Sequence, residues 1–380
     1  MDKKSGIFKK IRGLGFKFIV GLIGIVIFAS AIYYANEGFK INDDMHHTRQ
    51  ATARITDILS TNVETTENGF YSGEMLVVVE IETGIYRGMQ TEVIYFLNQM
   101  VHRPVEVNDR VSVRLMMVDG EMTSVHIQNL ERREMMLVIL AIFLIVLGIL
   151  GGKRGILSVV SLIFTLVCII YLLIPLMLRG YPVVLTTLLI LIFVTVVSLT
   201  FLAGLSTKGI SAMLGCLIGI LATAVLTHFT SMVVHISGFH MAEVGLILAT
   251  TEFPVSQASG LFISGVLIAS LGAVMDTAVS IASTIHELRK SNPKMTSGKL
   301  FTSGMNVGRD TMGTMTITLI LAFAGTSLNM MILLYSGDTS LNQLINSDFM
   351  VIEIIRGIAG SLGLVLTIPA VAFVSSVIDK

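Results

Sequence analysis

Apolar stretches dominate the chain, and one long polar stretch interrupts them, so the pattern divides the sequence into three parts. An apolar run over residues 18–35 follows a basic N-terminal tail, and residues 36–134 then have the composition of a soluble domain. From residue 135 onward apolar runs return, each long enough to cross a hydrocarbon core of about 30 Å. We therefore expect a tail with a first transmembrane helix (1–35), a separate small domain (36–134) and a transmembrane bundle (135–380).

Short runs with a period of two fill the middle part, and Gly, Asn and Asp residues separate them. Alternating apolar and polar residues indicate half-buried strands, and the separating residues favour turns. Five such runs in a domain of about a hundred residues predict an all-β domain, a small barrel of the OB or SH3-like sort. The runs are Gln50–Ile58, Glu74–Thr83, Gln90–Leu97, Arg110–Met116 and Glu121–Gln128.

Basic residues between the apolar runs set the expected topology of an α-helical, polytopic membrane protein. Short loops rich in Lys and Arg stay in the cytoplasm. Placing the basic clusters inside predicts eight transmembrane helices in the cell membrane, both termini in the cytoplasm and residues 36–134 exported. The spans are residues 18–35, Met135–Leu150, Ile156–Leu178, Val183–Leu205, Gly209–His235, Ala258–Ser283, Thr311–Tyr335 and Met350–Val377.

Two segments of this pattern have alternative interpretations. The first apolar run contains Ala29-Ser30-Ala31, which could be a signal-peptidase site, but it continues to Tyr34, which favours an uncleaved anchor. Residues 239–252 form a helical pattern too short to span, so they are either an interfacial helix or a re-entrant segment.

Composition supports a membrane protein and argues against several function classes. Of 380 residues, 53% are hydrophobic and 14% charged, with a mean hydropathy of +0.81; soluble domains have about 25% charged residues. Equal numbers of basic and acidic residues, 26 each, do not indicate a nucleic-acid partner.

Cys168 and Cys216 lie in apolar runs, which suggests packing roles and no disulfide. Without a phosphate-binding loop or a nucleophile motif, we expect neither an enzyme nor a cofactor.

Histidines give two weak indications of a metal site, and neither has the spacing of a ligand set. Adjacent His46 and His47 point to different sides of any regular element, which favours a solvated loop. His228 and His235, with His240 and Glu243 nearby, lack close i, i+4 spacing and are interpreted as structural. We expect no metal.

Asp276 is an ionisable residue inside the sixth predicted transmembrane helix. A charge at the centre of a bilayer costs at least ~2.5 kcal/mol, and such residues usually face a bundle interior and have a function. Small residues at helical spacing share its face, which indicates close helix packing there, so we expect Asp276 to face the bundle: Gly265, Ala269, Gly272, Ser280 and Ser283. The alternative is an aspartate that only links helices by hydrogen bonds.

The seventh and eighth spans show similar stripes with charge beside them. The first stripe is Thr311, Thr314, Thr318, Ala322 and Gly325, after Arg309 and Asp310; the second is Arg356, Gly360, Gly363, Thr367 and Ala370, after Glu353. Gly272, Ser280, Thr314, Thr318, Gly360 and Gly363 are expected at helix contacts. Transport or ion coupling is assigned to Asp276, Thr277, Arg309, Asp310, Glu353 and Arg356.

Depth along the helices limits which of these charges can meet. At 1.5 Å per residue, Asp276 lies roughly 27 Å below the outer start of its helix and Arg356 roughly 9 Å below its own. A direct salt bridge between them is therefore not expected, whereas Arg309 could extend toward Asp276. Glu353 and Arg356 can pair along one helix at i, i+3. Each of these groups also has an interpretation without a transport role. Arg309 and Asp310 could mark an ordinary helix boundary, and Glu353 and Arg356 could be a pair that neutralises itself locally.

Three segments carry a resemblance to a known family. LGAVMDTAVSIASTIHEL (Leu271–Leu288), SGMNVGRDTMGTMTITLILAFAG (Ser303–Gly325) and IIRGIAGSLGLVLTIP (Ile354–Pro369) resemble the YibE/F family of polytopic membrane proteins. The resemblance implies a multi-pass architecture and no particular activity. Asp276-Thr277 before a charged cytoplasmic segment is also similar to a helix of the SecD/SecF and RND-type permeases, although Met275 replaces their Asn and two extra spans precede it.

Two functions are compatible with these patterns. One is a permease in which Asp276 couples a proton or cation to movement of an unknown small solute. The other is a non-transporting assembly factor or sensor whose exported β domain binds a partner. Expected partners are the lipid bilayer, a solute or ion, and a membrane protein or a second copy of the chain, but no nucleic acid. A membrane-embedded enzyme ranks third.

Overall fold

The structure is a computed structural model that describes residues 28–37, 48–66, 69–97, 103–118, 121–236, 238, 241–251, 253–337 and 340–378. The basic tail, His46, His47 and His240 lie outside these residues. The chain forms two compact units, one of Met1–Asn36 with Leu147–Lys380 and one of Glu37–Val146. The smaller unit therefore continues past the predicted domain end at residue 134, into the first turns of a long helix.

Five antiparallel strands form the sheet of the smaller unit, as the period-two runs predict. They are β1 (Thr48–Thr65), β2 (Tyr71–Ile81), β3 (Gln90–Leu97), β4 (Arg110–Val118) and β5 (Glu121–Leu130), in the order β3-β2-β1-β4-β5. β1 pairs with β2 through one part of its length and with β4 through another, with register shifts after Ile55 and Ile58. Such bulges bend a strand. The outer strands β3 and β5 approach each other, so the sheet is barrel-like.

Side-chain alternation builds the core of this unit. Alternate residues of β2, among them Val77, Val79 and Ile81, are completely buried, as are Val111 and Val113 of β4. Residues between them point outward, which is the period-two rule of a strand with one buried face.

Helices make up the described part of the larger unit, apart from its short connections. They are α1 (28–36), α2 (Arg133–Cys168, which begins in the smaller unit), α3 (Ile174–Leu178), α4 (Val183–Ala203), α5 (Thr207–Val233), α6 (Ala242–Thr250), α7 (Ala258–Ser291), α8 (Ser297–Thr326), α9 (Leu328–Ser336), α10 (Leu341–Ile345) and α11 (Asp348–Ile378). A π-helical turn, Ile169–Leu173, joins α2 to α3. Within the described residues, α6 is the short helix predicted near 239–252.

Fewer separate spans appear than the eight that the sequence predicts. Among the described residues, five helical segments are long and apolar enough to cross a membrane, or up to six if α8 and α9, bent by 60°, form one span. The second and third predicted spans fall in one segment, Arg133–Leu178, and most of the first lies outside the described residues. The segment is nevertheless broken at Gly152, where φ is 54° and ψ −137°, at the predicted junction.

A proline explains the irregular turn between α2 and α3. Pro175 has no N–H, so it cannot bond the carbonyl of Tyr171 four residues earlier. Asn36, at the end of α1, donates its Nδ2 to that carbonyl at 2.7 Å. Nearby, the hydroxyls of Tyr34 and Tyr181 lie 3.0 Å apart. The first helix is thus attached to the bundle at a backbone group that the proline leaves free.

The centre of the bundle is the contact between α5 and α11, and glycines permit it. A Cβ on Gly219 would lie 1.9 Å from Oγ1 of Thr367, and one on Gly363 would lie 1.7 Å from Oγ1 of Thr223. Each Thr thus fills the space beside the other helix's glycine, and the residue order shows that the helices run antiparallel. Gly215 continues the contact against Val371. Gly215 and Gly219 thus form a GxxxG pair at a close helix contact.

α4 and α7 lie parallel and are joined at their first residues. Gln257, just before α7, accepts from the Val183 backbone N–H at 2.9 Å and donates to the Gly180 carbonyl at 3.1 Å. One turn further, the buried hydroxyls of Thr187 and Ser264 lie 2.7 Å apart. α7 contacts α4, α5, α8 and α11, and its residues Gly272, Asp276 and Ser280 remain exposed.

Candidate functional site

The face of α7 that packs into the bundle is not the face that carries Asp276. Val274, Thr277, Ala278 and Ile281 are buried between neighbouring helices, whereas Gly272, Asp276 and Ser280 are exposed. No atom of another element lies within 4 Å of a Cβ built on Gly265 or Gly272. The expectation of close helix packing at both glycines is therefore wrong, and so is the expectation that Asp276 faces the packed bundle. Large apolar side chains, rather than small ones, make the contacts of α7.

Asp276 instead faces a cavity of about 620 Å³ between α7, the second half of α2 and the ends of α4 and α5. α7 contributes one wall with Asp276, Gly272, Ser280 and Ser283, and α2 the opposite wall. The remaining polar lining residues are Arg154, Ser158, Ser161, Thr165 and Lys208, and apolar side chains such as Leu162, Leu202, Ile268 and Met275 complete it. A cavity of this size can hold a small organic solute.

The hydroxyl groups of the cavity are mostly acceptors. Ser158 donates to the Arg154 carbonyl at 2.9 Å and Thr165 to the Ser161 carbonyl at 2.8 Å, while Ser283 donates to the Val279 carbonyl at 2.5 Å. A hydroxyl whose proton is already donated to its own helix offers only its lone pairs to a ligand. These three groups therefore favour a cation, or a group that donates hydrogen bonds, over a bare anion.

Three ionisable side chains line the cavity without neutralising one another. Within the described residues, the Asp276 carboxylate has no hydrogen-bond or ion-pair partner, and no nitrogen of Arg154 or Lys208 lies within 4.0 Å of its oxygens. Ionised groups in a site of low dielectric constant gain from a partner of opposite charge. The cavity thus presents one unpartnered carboxyl group and two basic side chains to whatever enters it.

Thr277, Arg309 and Asp310 are not brought into this cavity. Thr277 is 2% exposed on the packed face of α7, and its Oγ1 has no partner in the described part of the chain. Arg309 and Asp310 are exposed on α8, and Nη1 of Arg309 bonds Oδ1 of Asn306 at 3.3 Å. The predicted extension of Arg309 toward Asp276 is therefore not observed.

Glu353 and Arg356 form the predicted i, i+3 pair, with Nη1 of Arg356 2.7 Å from Oε1 of Glu353. Both are far from Asp276. Gly360 lies beside Ser270, and both Val274 and Thr367 lie beside Gly219, so α7 and α11 run parallel. With 1.5 Å per residue, Glu353 and Asp276 are separated by about 20 Å along the bundle. The absence of an Asp276–Arg356 salt bridge from the described contacts agrees with the depth argument.

Of the residues expected at helix contacts, Gly360 and Gly363 of α11 are found there, the former against Leu319 and Ser270. Gly272 and Ser280 line the cavity instead. Thr314 and Thr318 are exposed, and their hydroxyls bond the carbonyls of Thr311 and Thr314 at 2.9 and 2.8 Å. The α8 prediction fails because its packing face is formed by another set of residues: Gly304, Gly308, Leu319 and Phe323.

Sequence reasoning missed the second wall of the cavity. Ser158, Ser161 and Thr165 follow one another at steps of three and four in an apolar helix, which places them on one face. That stripe, together with Arg154 at the helix start, is a signal that could have been found. No group of three or more His, Cys, Asp or Glu side chains suitable for a metal occurs among the described residues. His228 and His235 are both exposed.

Comparison with known proteins identifies the family. Residues 139–380 match the family model described as YibE/F-like protein. No curated protein and no solved structure matches the chain. The match contains the whole cavity, both of its helical walls and the α5–α11 contact. Together with the apolar helices, it supports a membrane protein, and the chain belongs to the YibE/F-like family.

Proposed function

We propose that this protein is a permease: a secondary transporter that moves a small solute and couples its movement to a proton or cation bound at Asp276. One observation carries the proposal: an unpartnered carboxylate faces a cavity of about 620 Å³ between the apolar helices α2 and α7. Ionisable residues within transmembrane helices are costly and commonly mark substrate or ion pathways.

The lining suggests how the cavity works. The proton or cation neutralises Asp276, and the hydroxyls of Ser158, Thr165 and Ser283 supply further acceptors to the ion or solute. Exchange between two sides requires the walls to move. Gly152, with a φ of 54° and no atom within 4 Å of a built Cβ, lies at the base of the α2 wall and is the proposed hinge.

The proposed topology follows from the basic loops. Eight transmembrane helices would place both termini in the cytoplasm and residues 36–134 outside the cell membrane. Arg154 and Lys208 would then lie at the cytoplasmic mouth of the cavity. The strand order of the exported unit, closed by the approach of β3 to β5, supports a barrel of the OB type.

Flux measurement tests the proposal. Proteoliposomes loaded with a pH-sensitive dye are given a pH or Na⁺ gradient and a panel of small solutes. Wild-type protein should give gradient-dependent solute flux with at least one solute, and Asp276→Asn should abolish the coupling. Asp310→Asn is the matched control, because that exposed carboxylate lies outside the cavity. Unchanged coupling in Asp276→Asn would exclude the proposed role.

A second candidate function is an assembly factor or sensor whose exported domain binds a partner, and the outward face of β3 favours it. Ile94 and Phe96 are 49% and 61% exposed on that face. Replacing both by Lys leaves the buried residues of β3 untouched. Loss of the cellular phenotype with intact flux would favour this function. A catalytic role has no observation in its favour among the described residues.

A further inference from the structure

A second cavity, of about 190 Å³, lies where α8, α9 and α11 meet. Its walls are apolar except for Glu353: Ile320, Phe323, Ala324, Met331, Ile354, Gly357 and Ile358. It lies about 20 Å along the bundle from Asp276, by the parallel register of α7 and α11. It is therefore separate from the cavity of the proposed transport function and does not depend on it.

Glu353 gives this cavity a free hydrogen-bond acceptor. Its side chain is only 8% exposed, and Oε1 accepts from Nη1 of Arg356 at 2.7 Å. Oε2 is buried and has no partner in the described part of the chain. The guanidinium of Arg356 lies over the Phe323 ring, 5.9 Å from its centre. Nε of Arg356 is likewise buried without a partner among the described residues. Oε1 is thus fixed by Arg356, and Oε2 remains as an acceptor beside the free Nε–H.

The surroundings of Oε2 decide which ligand chemistry fits. A buried acceptor without a donor is unfavourable, and a hydrogen bond to a charged group is among the stronger ones. A metal ion would need several oxygen ligands, and Glu353 is the only described oxygen-bearing side chain that lines the cavity. The Glu353–Arg356 pair is also neutral as a unit, so it does not attract a further cation strongly. A neutral O–H or N–H donor suits the site best.

We propose that this cavity binds a small amphiphilic molecule that has an apolar body and one hydroxyl or amino hydrogen-bond donor directed at Oε2 of Glu353. The cavity volume suits an apolar body of about the size of a benzene ring, since an apolar cavity of about 150 Å³ accommodates benzene. Phe323, Met331 and Ile354 line the space that this body would occupy.

Two fluorinated probes test the donor requirement in the purified full-length protein. Binding of 4-fluorobenzyl alcohol and of 4-fluorotoluene is measured by ¹⁹F NMR titration in detergent. The alcohol should bind about tenfold or more tightly than the toluene, because only the alcohol donates to the charged oxygen. Equal affinity of the two probes, or no saturable binding of the alcohol, would overturn the proposal.

A cavity-filling variant separates site binding from partition into detergent. A Cβ on Gly357 meets just one atom, Cγ1 of Ile320, at 3.7 Å. Gly357→Ala therefore fits without a clash but places a methyl group across the cavity. It should weaken alcohol binding about tenfold, in proportion to the apolar surface it displaces. The matched control is Gly313→Ala, where a Cβ meets no atom within 4 Å. Identical alcohol affinity in Gly357→Ala and wild type would place the probe elsewhere and refute the site.

Discussion

Gly363→Ala should disrupt the central contact of the bundle. The added Cβ would lie 1.7 Å from Oγ1, 2.7 Å from Cβ and 3.2 Å from Cα of Thr223. Rotating the Thr223 side chain cannot relieve the two backbone-proximal contacts, and it would break the hydrogen bond from Oγ1 to the Gly219 carbonyl, which is 2.9 Å long. α5 and α11 must therefore move apart.

The expected net cost is about 1 kcal/mol in the free energy of unfolding. Overpacking a close contact costs about 1–3 kcal/mol, and replacing a helical glycine by alanine returns roughly 0.5–1 kcal/mol. At Gly313 on α8, an added Cβ would have open space around it. Gly313→Ala therefore gains the helical stability of alanine without the cost of overpacking. It should be neutral or stabilising by up to about 1 kcal/mol.

Reversible unfolding in mixed micelles, followed by circular dichroism, gives both free energies. Adding Thr223→Ala to Gly363→Ala removes the 1.7 Å contact but keeps the 2.7 Å one, so the double variant should recover only part of the loss. Equal unfolding free energies for Gly363→Ala and Gly313→Ala would refute the close α5–α11 contact.

Three further outcomes are expected elsewhere in the chain. The two native cysteines are buried, so a cysteine introduced by Ser280→Cys should be the thiol that reacts with a charged, membrane-impermeant thiosulfonate. If the introduced thiol were as protected as the native ones, the cavity would not be open. Burial alone would raise the pKa of Glu82, but the hydrogen bonds and charges of Arg54 and Arg110 outweigh it and lower the pKa. The stabilisation from Glu82 is therefore present above its ordinary pKa of 4.5 and lost as the pH falls through the lowered value. In hydrogen exchange of the full chain, Glu82→Gln should destabilise β1 and β4 by about 1–3 kcal/mol at pH 7, and the difference from wild type should vanish in acid; a difference that persists there would contradict the ion pairs. Thr187→Val should cost about 1–2 kcal/mol by leaving the Ser264 hydroxyl without its partner, and a measured free energy of unfolding equal to wild type would exclude the buried bond.

Patterns of period and spacing predicted the elements that depend on local sequence. The five strands follow from alternation, because each needs only one buried face. The break at Gly152 follows from two glycines beside two basic residues, and the Glu353–Arg356 pair follows from i, i+3 spacing on one helix. These features depend on residues that are near one another in the chain.

The orientation of Asp276 could not be predicted in the same way. A stripe of small residues permits either close helix contact or an open cavity, and which one occurs depends on the neighbouring helix. For Gly363 the neighbour is Thr223 of α5, which fills the space, whereas no atom of another element approaches Gly272. The cavity also needs the α2 wall, more than a hundred residues earlier in the chain.

Reaction with a carbodiimide, which modifies a carboxyl group in its protonated form, tests most directly whether Asp276 exchanges a proton or cation in an open cavity. The modified residue is identified by mass spectrometry of the full-length protein in membranes. We predict that Asp276 is modified, that modification increases as the pH is lowered, and that Asp310→Asn leaves it unchanged. An Asp276 that stays unmodified at every pH, while exposed carboxyls such as Asp310 react, would contradict the proposed coupling site.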